Sequence, residues 1–68
     1  MTVQVTVNSV ATDVADDTTV ATLVAERGGR HDRIAVARNG DVVPRSSWAA
    51  TQLSPGDDVE VLAPTAGG

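Results

Sequence analysis

The chain has no cysteine, lysine, phenylalanine or tyrosine, and its only aromatic residue is Trp48. Without cysteine, neither disulfides nor thiolate metal sites can hold a small fold together. With no lysine and a formal net charge of −4, there is no basic face to offset phosphate charge. Nucleic acid is therefore excluded as a partner, and anionic membrane surfaces are disfavoured for the same reason. No apolar run approaches the ~20 residues of a membrane span. The start, Met1-Thr2-Val3-Gln4, has neither the charged segment nor the apolar stretch of a signal peptide, so a cytoplasmic location is expected. At 68 residues there is room for one domain. A chain of this size buries only ~60% of the surface its unfolded form exposes, and its stability margin is thin. What remains to build a core is aliphatic, with valine dominant and alanine next. Valine is stiff at its first side-chain torsion and suits a pleated, half-buried surface. A valine-rich sheet covered by a helix is expected.

Residues 1–8 alternate, with Val3, Val5 and Val7 in one phase and Thr2, Gln4 and Thr6 in the other, as in a strand with one buried face. Asn8-Ser9 begins a turn, and a weaker return strand is expected over residues 12–15. Asp16-Asp17-Thr18-Thr19 reads as a helix entrance, where short acceptors meet unpaired amides and carboxylates favour the positive helix end. Val20, Leu23, Val24 and the stem of Arg27 follow at helical spacing, and Gly28-Gly29 supplies a stop. After a polar loop, residues 33–38 form a third strand. Asn39-Gly40 is the strongest hairpin signal, because both residues tolerate the positive φ of a tight two-residue turn. Asp41-Val42-Val43 is a short fourth strand that ends at Pro44. Ser46-Ser47-Trp48 reads as a short helical turn, Leu53 as an apolar plug, and Pro55-Gly56-Asp57-Asp58 as a turn. The last strand covers residues 58–63, with Val59 and Val61 inward and Asp58 and Glu60 outward. Val5, Val7, Leu23, Val24, Ile34, Val36, Val59 and Val61 are the expected core.

The order β-β-α-β-β-β, with the last strand parallel to the first and the helix as the long crossover, defines an α+β fold of the β-grasp, or ubiquitin-like, kind. It has a mixed sheet of four to five strands, one helix on one face and a flexible C-terminal tail. Residues 1–63 make the β-grasp domain, and residues 64–68 the Gly-Gly tail.

Pro64 cannot donate to a sheet ladder and pushes Ala63 toward an extended conformation, so the chain leaves the body there. Five extended residues reach roughly 17 Å. Gly67 and Gly68 have no side chains, so their backbone can enter a narrow channel and present a terminal carboxylate to chemistry inside another protein. Such a carboxylate becomes reactive when ATP converts it to an acyl-adenylate. A sulfur donor then displaces AMP and leaves a thiocarboxylate. The competing reading is a frayed terminus of small residues.

The second half of the chain resembles ThiS, the sulfur-carrier family of thiamin-thiazole biosynthesis. The resemblance rests on Ala35-Val36-Ala37-Arg38-Asn39-Gly40, Val43-Pro44-Arg45, Trp48-Ala49, Leu53, Gly56-Asp57, residues 59–62 and Ala66-Gly67-Gly68. It implies a protein co-substrate rather than an enzyme, with no bound cofactor. Sulfur would be carried at Gly68, next to Gly67. Three partners are implied. An adenylating enzyme of the ubiquitin-activator type, ThiF- or MoeB-like, uses ATP and Mg on the Gly68 carboxylate. A sulfur donor system, of the cysteine desulfurase kind, supplies sulfur. A thiazole synthase, ThiG-like, takes it up. Ala63-Pro64 is closer to MoaD, the molybdopterin carrier, and carriers of cysteine or natural-product pathways share the Gly-Gly end. A ubiquitin-like modifier and a plain binding module are the other function classes.

Leu62 falls in the outward phase beside the tail. With Ala35 and Ala37 it would form a small apolar docking surface, which makes Leu62 and Ala66 the candidate partner contacts. Trp48 is expected as a structural anchor of its loop. Arg45 reads as a solvated loop arginine, with phosphate or an acidic partner as the alternative. His31 lies in a loop too poor in ligands for a metal site and is expected to be exposed. Asp16-Asp17 and Asp57-Asp58 occur at cap and turn signals, where short acceptors are structural. No nucleophile, base and orienter cluster in the pattern.

Overall fold

The structure is a computed structural model that describes residues 1–27 and 34–62. The helix stop at Gly28-Gly29, the loop with His31, the start of the third strand at Arg33, the end of the last strand at Ala63 and the tail residues 64–68 lie outside the described residues.

The chain runs β1 (Thr2–Val7), β2 (Val10–Ala15), α1 (Val20–Glu26), β3 (Ala35–Arg38), β4 (Asp41–Val43), a 3-10 helix (Arg45–Ala50) and β5 (Asp58–Leu62). The strands form one mixed sheet in the order β2-β1-β5-β3-β4. Strand β5 lies parallel to β1 and antiparallel to β3, so the last strand occupies the middle of the sheet. The β-grasp arrangement expected from the sequence is the one present.

Both tight hairpins follow from residues that accept positive φ. Asn8 (50°) and Ser9 (70°) join β1 to β2, with Val7 opposite Val10. Asn39 (52°) and Gly40 (86°) join β3 to β4, with Arg38 opposite Asp41. The two-residue turn at Asn8-Ser9 lets β2 begin at Val10, two residues ahead of the expected start. At the helix entrance, the Thr19 side chain caps by accepting from the Thr22 amide at 3.2 Å. The first turn holds no acidic residue, and Asp16 and Asp17 belong to the turn after β2. The helix has seven residues, so its stability comes from the sheet beneath it.

Val20, Leu23 and Val24 form the buried stripe of α1. They pack with Val5, Val7, Val14, Ile34, Val36, Trp48, Leu53 and Val59 into one core. All the expected core residues are buried except Val61, which is half-buried. The register gives the reason. Val7 pairs with Val59, and the next inward place on β1 would be residue 9, but β1 has already turned at Asn8. Val61 therefore has no β1 side chain beside it.

Trp48 anchors the segment between β4 and β5. Its ring is buried, its Nε1 donates to the Val43 carbonyl at 2.9 Å, and the Arg45 guanidinium lies 5.4 Å from its centroid. Arg45 is thus stacked on the tryptophan.

Candidate functional site

The alternation of β5 divides the sheet into two faces. Val59 points to the core under α1, whereas Glu60 and Leu62 point away from it. On β3 the same division sends Val36 inward and Ala35 and Ala37 outward. Leu62 pairs with Ala35, and Glu60 with Ala37. Leu62 is 57% exposed, Ala35 is exposed and Ala37 is half-buried. The structure thus brings the expected Leu62, Ala35 and Ala37 together on the uncovered face, at the end of β5 where the chain leaves for residue 63.

Val42 extends that apolar surface. It is 76% exposed and pairs with Ala37 across the β3-β4 hairpin. The signal was present in the sequence: a two-residue turn at Asn39-Gly40 places residue 42 opposite residue 37 and on the same face. Leu62, Ala35, Ala37 and Val42 form a strip across β5, β3 and β4, flanked by the Glu60 carboxylate.

The last strand is gripped at both ends by asparagine side chains. Where β5 begins, Asn39 Oδ1 accepts from the Asp58 amide at 2.9 Å. Asn39 Nδ2 donates to Asp57 Oδ1 at 3.0 Å. Asp57 Oδ2 accepts from Arg38 Nε at 2.7 Å and from the Ser54 amide at 2.8 Å. Burial pushes the Asp57 carboxyl up. The Ser54 amide, the Arg38 guanidinium and the Asn39 amide together outweigh it and hold the carboxyl below the usual aspartate range. At the other end, Asn8 Oδ1 accepts from the Val61 amide at 2.8 Å, and Asn8 Nδ2 donates to the Val61 carbonyl at 3.2 Å. Nothing in local sequence pattern points to this contact, because the partners are 53 residues apart.

Among the described residues, no group of three His, Cys, Asp or Glu side chains is placed to hold a metal ion, and no pocket opens. Every buried side-chain nitrogen or oxygen there has a hydrogen-bond partner. Ala66, Gly67 and Gly68, the other expected site residues, lie outside the described residues.

A mixed five-stranded sheet with one helix and the last strand in its middle is the ubiquitin-like β-grasp architecture. Comparison with known proteins makes the assignment specific. The model of the ThiS family matches residues 2–68, and the chain belongs to that family. The crystal structure of the thiamine biosynthesis protein ThiS from Geobacter metallireducens superposes with a TM-score of 0.79 at 32% identity, covering 96% of this chain and 99% of that one. A thiazole synthase of Paramagnetospirillum magneticum is 40% identical over 50 residues, or 74% of this chain. The chain spans 15% of that protein's length.

Proposed function

We propose that the chain is a sulfur carrier of thiamin biosynthesis, with Gly68 as its working end. The observation that carries this reading is the ThiS family match over residues 2–68, which includes Gly67 and Gly68. The likeness to the Geobacter ThiS supports it, as does the similarity of 50 residues to part of a thiazole synthase.

The chemistry needs little from the body. The Gly68 carboxylate attacks the α-phosphate of ATP within a ThiF-like adenylating enzyme and releases pyrophosphate. A persulfide from the donor system displaces AMP at the acyl carbon, and a thiol reductant cleaves the acyl disulfide so formed, leaving the thiocarboxylate and a new disulfide on the donor side. The resulting thiocarboxylate delivers sulfur to a thiazole synthase. ATP and Mg belong to the activating partner. The body docks, and the strip of Leu62, Ala35, Ala37 and Val42 is the surface for it. Binding buries apolar area that is exposed in the free protein, while Glu60 and the net negative charge favour a partner with a basic rim. Gly67 and Ala66 follow Gly68 into the enzyme, with Ala66 as a contact.

The test is thiocarboxylate formation with the cognate activating enzyme, ATP and a sulfur donor, located at Gly68 by fragmentation mass spectrometry. Deleting Gly68 shortens the reach by ~3.5 Å, and even ~1 Å of misplacement costs ~100-fold in rate. The deletion should abolish the product. Normal sulfur transfer by the deleted chain refutes the proposal.

A further inference from the structure

We infer that Asn8 is a positioning residue for the activation of Gly68: its side chain completes the last strand where the β1 backbone cannot. The parallel ladder between β1 and β5 runs through Thr6 N to Asp57 O at 2.8 Å and Asn8 N to Val59 O at 2.9 Å. The next step along β5 is Val61, but β1 turns away at Asn8, whose φ is 50°. At that point the carboxamide of Asn8 takes over. Its oxygen accepts from Val61 N and its nitrogen donates to Val61 O, the same pair of bonds a neighbouring strand would make. An asparagine side chain has one acceptor and a donor pair on a planar amide, as a peptide group does, and asparagine tolerates the left-handed backbone this geometry requires.

The clamp is not needed to satisfy buried groups. Asn8 is exposed and Val61 half-buried, so water can solvate both if the bonds are absent. Its effect falls on order. On the β3 side Val61 pairs with Val36 and Leu62 with Ala35, near the start of β3. Without Asn8 the last two residues of β5 are held from one side only. Those residues carry Leu62 of the docking strip and are the point from which the following chain is aimed. A strand end that frays moves the origin of the tail relative to the docked face, and the carboxylate must still meet the α-phosphate of ATP. Misplacement at a reacting centre lowers the rate without removing any catalytic group.

This inference rests on the proposed carrier function, and the experiment separates the two. Asn8→Gly keeps the positive-φ turn without strain and removes the carboxamide. Val14→Ala, a core truncation in β2, is the control for lost stability. Both are assayed with wild type for Gly68 adenylation by ATP–pyrophosphate exchange with the cognate activating enzyme, at a temperature where each is folded. Asn8→Gly should lower kcat at saturating carrier about tenfold or more. Amide exchange at Val61 should accelerate relative to Val59. Val14→Ala should keep the wild-type kcat. A wild-type kcat in Asn8→Gly, or an equal kcat loss in Val14→Ala, overturns the role of Asn8 and leaves the carrier function standing. A wild-type chain that takes no adenylate at Gly68 overturns both.

Discussion

Replacing Asp57 by asparagine exchanges one heavy atom just before the central strand and should cost a large part of the fold's stability. The carboxylate is 8% exposed and accepts three hydrogen bonds, from Arg38 Nε, Asn39 Nδ2 and the Ser54 amide. In Asp57→Asn the amide oxygen can keep the place of Oδ2 and its two donors. The amide nitrogen then faces Asn39 Nδ2, and Asn39 cannot flip without losing its bond from the Asp58 amide. One hydrogen bond is lost, the Ser54 bond passes from charge-assisted to neutral, and the Arg38 bond keeps its cationic donor but loses the ion pair. Charge-assisted bonds contribute about 1.5–3 kcal/mol and neutral ones about 0.5–1.5. Arg38 is 32% exposed, so solvent screening places its ion pair at the low end. The expected loss is roughly 2–3 kcal/mol, against a total of roughly 3–10 kcal/mol for a chain of this size. At about 4–8 °C per kcal/mol for small domains, Tm should fall by about 10–20 °C. The pH dependence supplies the sharper check. The folded pKa of Asp57 is depressed, so its stabilisation is fully present above the unfolded aspartate value near pH ~4 and is lost as pH falls through the lower folded value. The stability gap between wild type and Asp57→Asn, read by urea unfolding, should therefore be constant at neutral pH and narrow below about pH 4. Equal stability at pH 7, or a gap that does not narrow on acidification, refutes the reasoning.

Leu62→Glu should leave stability within about 0.5 kcal/mol, because the side chain is mostly outside the core. It should weaken binding to the activating enzyme about tenfold or more by titration calorimetry, and Val42→Glu should act in the same direction. Gly67→Val should impair thiocarboxylate formation, since a β-branched side chain must enter a channel sized for backbone, while the melting temperature stays that of wild type. Trp48→Phe loses the Nε1 bond to the Val43 carbonyl and should cost about 0.5–1.5 kcal/mol in urea. Trp48→Ala removes about 3–5 kcal/mol and should give a largely unfolded chain by circular dichroism.

The parts of the fold that rest on neighbours in sequence were legible from it. The Val3-Val5-Val7 alternation marks β1, the Asn39-Gly40 pair marks its hairpin, and Val20, Leu23 and Val24 mark the covered face of α1. Val61 is less buried than its phase predicts, because phase alone says which way a side chain points, not whether a neighbouring strand continues beside it. Val42 needed one further step, from turn length to register to face. Local sequence marks Asp57 only as a turn acceptor. That role is real, since Asp57 takes the Ser54 amide, but Arg38 lies 19 residues away and is brought to it by the β3-β5 pairing. Asn8 had no local signal beyond its turn, because its second role requires the parallel register of β1 with β5.

The same register explains why the central strand depends on side chains. Strand β1 pairs with β5 only at Thr6 and Val7, and β3 covers it from Val59 to Leu62. A strand with so few partners on one side is held weakly by backbone alone. At its start, Asn39 and Asp57 fix the turn that feeds it. At its end, Asn8 supplies the missing peptide-like group. Neither grip adds an apolar side chain to the core, although the buried Asp57 carboxylate contributes to stability through its hydrogen bonds. What they set is the course of β5 from the core to Leu62. Under the proposed carrier function, that course sets where the chain beyond Leu62 begins. Among the described residues no pocket opens, so under the proposed function docking falls to the sheet face that this strand carries.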